Sequence, residues 1–136
     1  MSLDAIEPFL TLGMKEADAG TEQVIVDIPL VGNRNDKGTL FGGSMYSAML
    51  LAGWRLCTLK AQSMGQGGDI YVKDSDVRFL RPIRSDMKAV ARLVKPPYET
   101  PRGNLAFDVE VDATDQSGDL CGRAQATFRL VSKKTG

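Results

Sequence analysis

The pattern of apolar and polar positions divides the chain into one long buried helix and a set of strands. From Ser44 to Trp54 (SMYSAMLLAGW) there is no charged residue. Met45, Met49, Ala52 and Leu56 fall on one helical stripe, and Tyr46, Leu50, Gly53 and Cys57 on another. A helix that is apolar nearly all round must be wrapped by something else. Ser44 is the expected N-cap, its hydroxyl accepting from a free amide of the first turn. Elsewhere the period is two. Glu22–Leu30 reads as a strand with Val24, Val26 and Ile28 on one face, and Pro29 places its end at an edge or bulge. Asp69–Ile83 is a long strand in which neither parity is cleanly apolar, so a bulge or an interface is expected near Asp74–Asp76. Met87–Val94, Leu105–Ala113 and Cys121–Val131 are further strands, joined by a hairpin loop at Lys95–Asn104 and a turn at Thr114–Asp119. At the N-terminus, Leu3–Leu10 is expected to be a short helix (about residues 2–9) that Pro8 disturbs. A weak strand over Thr11–Glu16 and a turn at Asp18-Ala-Gly20 follow. Residues 64–68 form a glycine-rich turn back to the sheet, and Ser132–Gly136 is a polar tail.

This order gives an α+β layout, one helix wrapped by a curved antiparallel sheet, in a single domain spanning residues 1–136. Lys+Arg and Asp+Glu both number 17, so no global field attracts nucleic acid or an anionic membrane. The start, with Asp4 and Glu7 and no basic residue, is not expected to be a signal peptide. Gly53 and Arg55 interrupt the apolar stretch short of a bilayer span. Cys57 and Cys121 fall inside elements and read as buried free thiols of a cytoplasmic protein. There is no histidine. Ser-His-Asp and Cys-His catalysis and His-ligated metal are therefore excluded, and no metal or cofactor is expected. Any catalysis must use carboxylates, amides, hydroxyls, backbone dipoles or water.

The stretch N-x-N-x-K-G-T-L-F-G-G-S (33–44), the apolar helix and then D-S-D-V-R-F-L-R-P-I (74–83) resemble the hot-dog-fold thioesterases. The resemblance covers about residues 10–132 and is greatest to the thioesterase-type domain that in some proteins follows an acetyltransferase domain. It implies a sheet wrapped around a helix and homodimers, some pairing further into tetramers. It also implies active sites at the subunit interface and acyl-thioester ligands carried on CoA or acyl carrier protein (ACP).

The loop suits that chemistry. Hydrolysis puts negative charge on the thioester oxygen, and amides at a helix N-terminus point outward unpaired. The amides of Gly42, Gly43 and Ser44 are candidate oxyanion donors, with Asn35 supplying a further amide or holding the attacking water. The sequence departs from two better-known hot-dog families. Asn35, Gly38, Gly42 and Gly43 match N-x-x-G-x-x-H-G-G, but its histidine is Phe41 here and its helical acid falls at Leu50. In D-x-D-x-x-G-x-x-Y the acids fall at Asn33 and Asn35. The remaining candidate bases are Asp36 and Asp74. Asn33, Phe41, Gly42, Ser44, Met45 and Ser75 complete the candidate binding set, with the acyl chain running past Met45 and Met49.

Plainer readings stand beside these. Asp36-Lys37-Gly38 is also an ordinary turn. Asn33 and Asn35 also serve as turn or capping residues, and Asp76 and Arg78 read as an interfacial charge network. Arg81, Arg84, Lys95 and Arg102 are placed either to hold CoA phosphates or simply to be solvated. The missing acids leave open a non-catalytic acyl-CoA- or ACP-binding module, or a partner domain of an acetyltransferase.

Overall fold

The computed structural model describes residues 2–132, so of the polar tail only Ser132 falls within it. The strands are β1 (Lys15–Ala19), β2 (Gln23–Ile28), β3 (Asp69–Phe79), β4 (Met87–Leu93), β5 (Tyr98–Glu99), β6 (Leu105–Thr114) and β7 (Leu120–Val131); the helices are α1 (Glu7–Thr11) and α2 (Gly42–Ser63). The strands form one antiparallel sheet in the order β1-β2-β4-β6-β7-β3, with β5 pairing β6 beyond the end of β4. The break between β4 and β5 falls at Pro96-Pro97, which have no N–H to give the ladder.

Alternation decides which face holds the helix. Val24 pairs Ala91, Val26 pairs Ala89, Ala89 pairs Ala113, and Val109 pairs Ala126, all buried and all on the side of α2. The alanines let the helix lie close. At Gly53 the approach is closest: a Cβ there would stand 3.0 Å from Phe128 Cε1 and 3.2 Å from Val109 Cγ2. Met45, Met49, Ala52, Leu56 and Cys57 are buried against this face, as the stripes required. Burying a large side chain stabilises by about 1.5–3 kcal/mol, so α2 is the principal contributor to the core. Both cysteines are free and buried. Burial, with Asp108 adding to it, pushes the Cys57 thiol far above its ordinary range. No helix among the described residues is long and apolar enough to cross a membrane.

Several expectations shift. The N-terminal helix is split: a 3-10 turn at Leu3–Ala5, an extended Ile6, then α1. Pro8 opens α1 instead of disturbing its end, because the first turn has no use for its missing N–H. The first strand is Lys15–Ala19, later than Thr11–Glu16, and it runs through the residues expected to turn. The turn itself begins at Gly20, whose N–H donates to Gln23 O at 2.9 Å. The third strand stops at Phe79, with a bulge between Val72 and Asp74. That bulge explains the mixed parity: Ile70 and Val72 face the helix before it, and Ser75, Val77 and Phe79 after it.

The two sheet edges differ. β1 is short, wholly exposed, charged and bulged between Glu16 and Asp18, the features that blunt an edge. β3 has 11 residues and exposes Tyr71, Val72 and Phe79. It is an open edge with apolar side chains.

Candidate functional site

The segment 33–44 folds as a small hairpin leading into α2. Phe41 N–H donates to Asn33 O at 2.8 Å, Asn35 N–H donates to Thr39 O at 2.8 Å, and Arg34 and Leu40 form a bridge between them. Leu40 N–H donates to Ile83 O at 2.8 Å and fixes the hairpin to the chain beyond β3. Asn33 is buried, and its Nδ2 donates to the carbonyls of Leu12 and Pro29, each at 2.9 Å. It ties the hairpin to the chain after α1 and after β2. Its Oδ1 is buried without a partner. Asn35 is spent on the turn: Oδ1 accepts from Lys37 N–H at 2.9 Å and Thr39 N–H at 3.1 Å, while Nδ2 donates to Thr39 Oγ1 at 2.8 Å. Gly38 takes φ +78°, so the turn reading of Asp36-Lys37-Gly38 holds.

At the helix start the N-cap is Phe41, in extended conformation, with no side-chain cap. Ser44 is not the cap. Gly42 and Gly43 already adopt helical geometry, which moves Ser44 into the first turn, where it is buried. Met45 N–H donates to Phe41 O at 3.0 Å. Among the described residues, the N–H groups of Gly42, Gly43 and Ser44 have no acceptor, and they form a cluster of outward amide dipoles. Two half-exposed phenyl rings flank them. A Cβ on Gly43 would lie 2.4 Å from Phe41 Cε2, and one on Gly42 would lie 3.4 Å from Phe79 Cε1. At Gly43 a side chain would displace the Phe41 ring, whereas at Gly42 it would only touch Phe79. One turn further on, Ser47 Oγ donates to Gly43 O at 2.9 Å, and Tyr46 Oη and Ser75 Oγ share a short hydrogen bond that joins α2 to the β3 edge.

The structure thus brings Phe41, Gly42, Gly43, Ser44 and Met45 together and adds Ser75 through Tyr46. It does not bring in the carboxylates. Asp36 sits at the hairpin tip, its side chain 81% exposed and paired with Lys37 Nζ at 3.1 Å. At the rise of a strand this is about 10 Å along the hairpin from the amides. Asp74 pairs with Thr127 and Asp76 with Gln125, on the sheet face turned away from α2. Met45 and Met49 are packed inside the core. Phe79 and Tyr46 were not among the sequence-derived site residues. Placing the β3 bulge one residue earlier would have put Ser75 and Phe79 on the helix side.

On the outer face the charges are mostly paired. Arg92 reaches Glu110 and Asp112, and Arg123 reaches Asp112 at 2.8 Å. Burial acts to raise the Asp112 carboxyl, but the hydrogen bonds from Arg123 and Arg92 outweigh it and hold the carboxyl below its ordinary range. A cavity of 590 Å³ lined by Lys15, Asp27, Met87, Lys88 and Asp115 shares no residue with the hairpin or the helix start.

Comparison with known proteins agrees with this fold. A "putative thioesterase" from Shewanella oneidensis is 25% identical, covers 94% of this chain and 90% of its own, and superposes with a TM-score of 0.81. OLEI01261, a protein of unknown function from Chlorobaculum tepidum TLS, is 18% identical over 96% of this chain and 89% of its own, with a TM-score of 0.82. Thioesterase HI1161 from Haemophilus influenzae is 20% identical over 91% of this chain and 82% of its own, with a TM-score of 0.74. These last two share the fold. A family model described as "Putative thioesterase (yiiD_Cterm)" matches residues 9–114, so this chain, one helix in an antiparallel wrap, belongs to the YiiD_C thioesterase-type family of hot-dog proteins.

Proposed function

We propose that the chain hydrolyses acyl thioesters carried on CoA or acyl carrier protein. The observation that carries this reading is the set of unpaired amides of Gly42, Gly43 and Ser44 between the rings of Phe41 and Phe79, beside an open strand edge. Water adds to the carbonyl carbon, the carbonyl oxygen takes up negative charge against the amides, and the C–S bond breaks. The products are a carboxylic acid and a free thiol. An oxyanion donor of this kind is worth about 3–4 kcal/mol of barrier. The acyl chain is proposed to start between Phe41 and Phe79 and point toward Met45, with no metal or separate cofactor. The β3 edge, unpaired along 11 residues and exposing Tyr71, Val72 and Phe79, supports a homodimer.

In this reading the water's proton goes to Asp36, presented by the hairpin that leads into α2, with Asp74 as the alternative and Asn35 shaping the loop that presents the base. The groups close to the amides within one chain are hydroxyls and rings, and this favours one second reading: a module that binds acyl-CoA or acyl-ACP without cleaving it, or partners an acetyltransferase. Thiol release from a panel of acyl-CoAs and acyl-ACPs, with wild type, Asp36→Ala and Asp74→Ala, decides. Turnover that Asp36→Ala lowers at least about a hundredfold supports the assignment. Binding by calorimetry with no turnover on any thioester selects the second reading.

A further inference from the structure

The face of α2 that meets β3 carries one polar pair set between apolar groups. At four-residue spacing this face is Gly42, Tyr46, Leu50 and Trp54. A Cβ on Gly42 would touch Phe79, Tyr46 Oη and Ser75 Oγ share a hydrogen bond, and Trp54 Nε1 donates to Ile70 O at 3.0 Å. The helix therefore runs antiparallel to β3 and meets Phe79, Ser75 and Ile70 in turn. Phe41 and Phe79 stand at the mouth of this seam, and Leu50 and Trp54, partly buried against the core, continue it beyond Tyr46.

Hydrogen-bond capacity sets the pair apart. Each hydroxyl brings one proton and two lone pairs, and the bond between them uses one proton and one lone pair. Neither hydroxyl has another partner among the described residues. Neighbouring polar groups on α2 are taken up: Ser47 Oγ donates to Gly43 O and Thr58 Oγ1 to Trp54 O, both at 2.9 Å, and the Trp54 indole donates to Ile70 O. Whichever hydroxyl donates within the pair, one O–H is left to give and lone pairs are left to accept. Tyr46 and Ser75 are both partly exposed, so a ligand lying along the seam reaches them. Tyr46 follows Gly42 by one turn, about 6 Å along the helix axis, and helical side chains lean back toward the N-terminus. The pair therefore lies a few carbons along from a carbonyl held at the amides.

We infer that the acyl chain taken at this site carries a hydroxyl a few carbons from its thioester, as a 3-hydroxyacyl thioester does, and that Tyr46 and Ser75 bind that hydroxyl. The inference rests on the thioesterase reading and names its substrate class. The thioester oxygen lies against the amides of Gly42, Gly43 and Ser44, and the chain passes between Phe41 and Phe79. Its hydroxyl donates to one member of the pair and accepts from the other's free O–H, and the remaining carbons run over Leu50 toward Trp54. A plain acyl chain covers the free O–H without pairing it. A site built to bond a substrate hydroxyl discriminates against the analogue that lacks it on this ground.

The test compares butyryl-, octanoyl- and dodecanoyl-CoA with their 3-hydroxy counterparts, by thiol release, in the whole chain as wild type, Tyr46→Phe, Ser75→Ala and Ser75→Thr. The readout is the ratio of kcat/KM between the hydroxylated and the plain chain of equal length. Wild type should favour the hydroxylated chain about tenfold, Tyr46→Phe and Ser75→Ala should bring the ratio close to one, and Ser75→Thr, which keeps the hydroxyl, should keep the preference. Melts accompany the assay, because a bond that only joins α2 to β3 would lower Tm in the variants and leave the ratio unmoved. Equal kcat/KM for the two chains in wild type, or a preference that Tyr46→Phe and Ser75→Ala both retain, overturns the inference while turnover keeps the thioesterase reading standing. Should no thioester turn over, calorimetric titration with the same compounds replaces the assay. Tighter binding of the hydroxylated chain that Tyr46→Phe abolishes then supports the pair and sinks hydrolysis, and equal or absent binding overturns the inference.

Discussion

Replacing Gly43 by alanine separates the chemistry of the helix start from its stability. The new methyl would stand 2.4 Å from Phe41 Cε2 and 3.1 Å from Cδ2 and Cζ, so the ring must move. The ring is free to do so, because Phe41 is already 55% exposed. Burying a whole phenylalanine stabilises by about 1.5–3 kcal/mol, so turning out the covered half costs about 1 kcal/mol. Alanine in place of a helical glycine recovers about 0.5–1 kcal/mol. The two nearly cancel, and the Tm should stay within about 5 °C of wild type. Activity should not survive so well. The methyl and the ring it displaces crowd the amides that the proposed carbonyl oxygen must reach, and losing such a donor costs about 10²–10³-fold in kcat. The assay is thiol release from an acyl-CoA alongside a thermal melt. Unchanged turnover with the ring displaced would mean that the amides are not the oxyanion site. A fall in Tm beyond about 10 °C would mean that Phe41 is locked in place and the steric argument is wrong.

Gly53→Ala should behave in the opposite way: its Cβ meets Phe128 and Val109, both about 1% exposed and unable to move, so stability falls by about 1–3 kcal/mol while kcat of the folded protein is unchanged. A melt of this variant as high as that of wild type would refute the packing argument. The depressed Asp112 carboxyl contributes stability above about pH 4, lost as pH falls through its folded-state value. Asp112→Asn should therefore lower Tm at pH 7 and show a narrowing gap to wild type below pH 4, which melts across that range will check. Val72→Lys puts a charge on the exposed β3 edge and should shift the proposed dimer to monomer by light scattering, with the melt of the monomer little changed.

Most of the fold was legible because its signals are periodic. The apolar helix and the alternation of β2, β6 and β7 impose burial on one face whatever the tertiary detail. What escaped depends on single residues. Ser44 has the chemistry of a cap, but glycines 42 and 43 let the helix begin earlier and leave the cap to Phe41. The bulge after Val72 is set by how β3 registers on β7, and no local pattern fixes that. At the site, the loop-to-helix junction could be read because free amides follow from where a helix starts. Rings over those amides, and the Tyr46–Ser75 bond, required the sheet to be in place.

Asp74 shows how far register reaches into function. Parity alone left either face open to it, and pairing with Thr127 puts it on the outer one. It also lies at the middle of β3, which runs Asp69–Phe79. An antiparallel two-fold pairing that uses the whole strand therefore brings the two copies of Asp74 close to each other at the axis, with the amides of each protomer toward the Phe79 ends. Like charges so placed repel, and like-charged pairs across a ladder destabilise by about 0.2–1 kcal/mol. Asp74→Asn should tighten the dimer two- to fivefold at neutral pH while leaving thiol release at the wild-type rate, measured by sedimentation equilibrium and by turnover. If turnover collapses while the dimer persists unchanged, Asp74 reaches the reacting water and the two strands must pair off-centre.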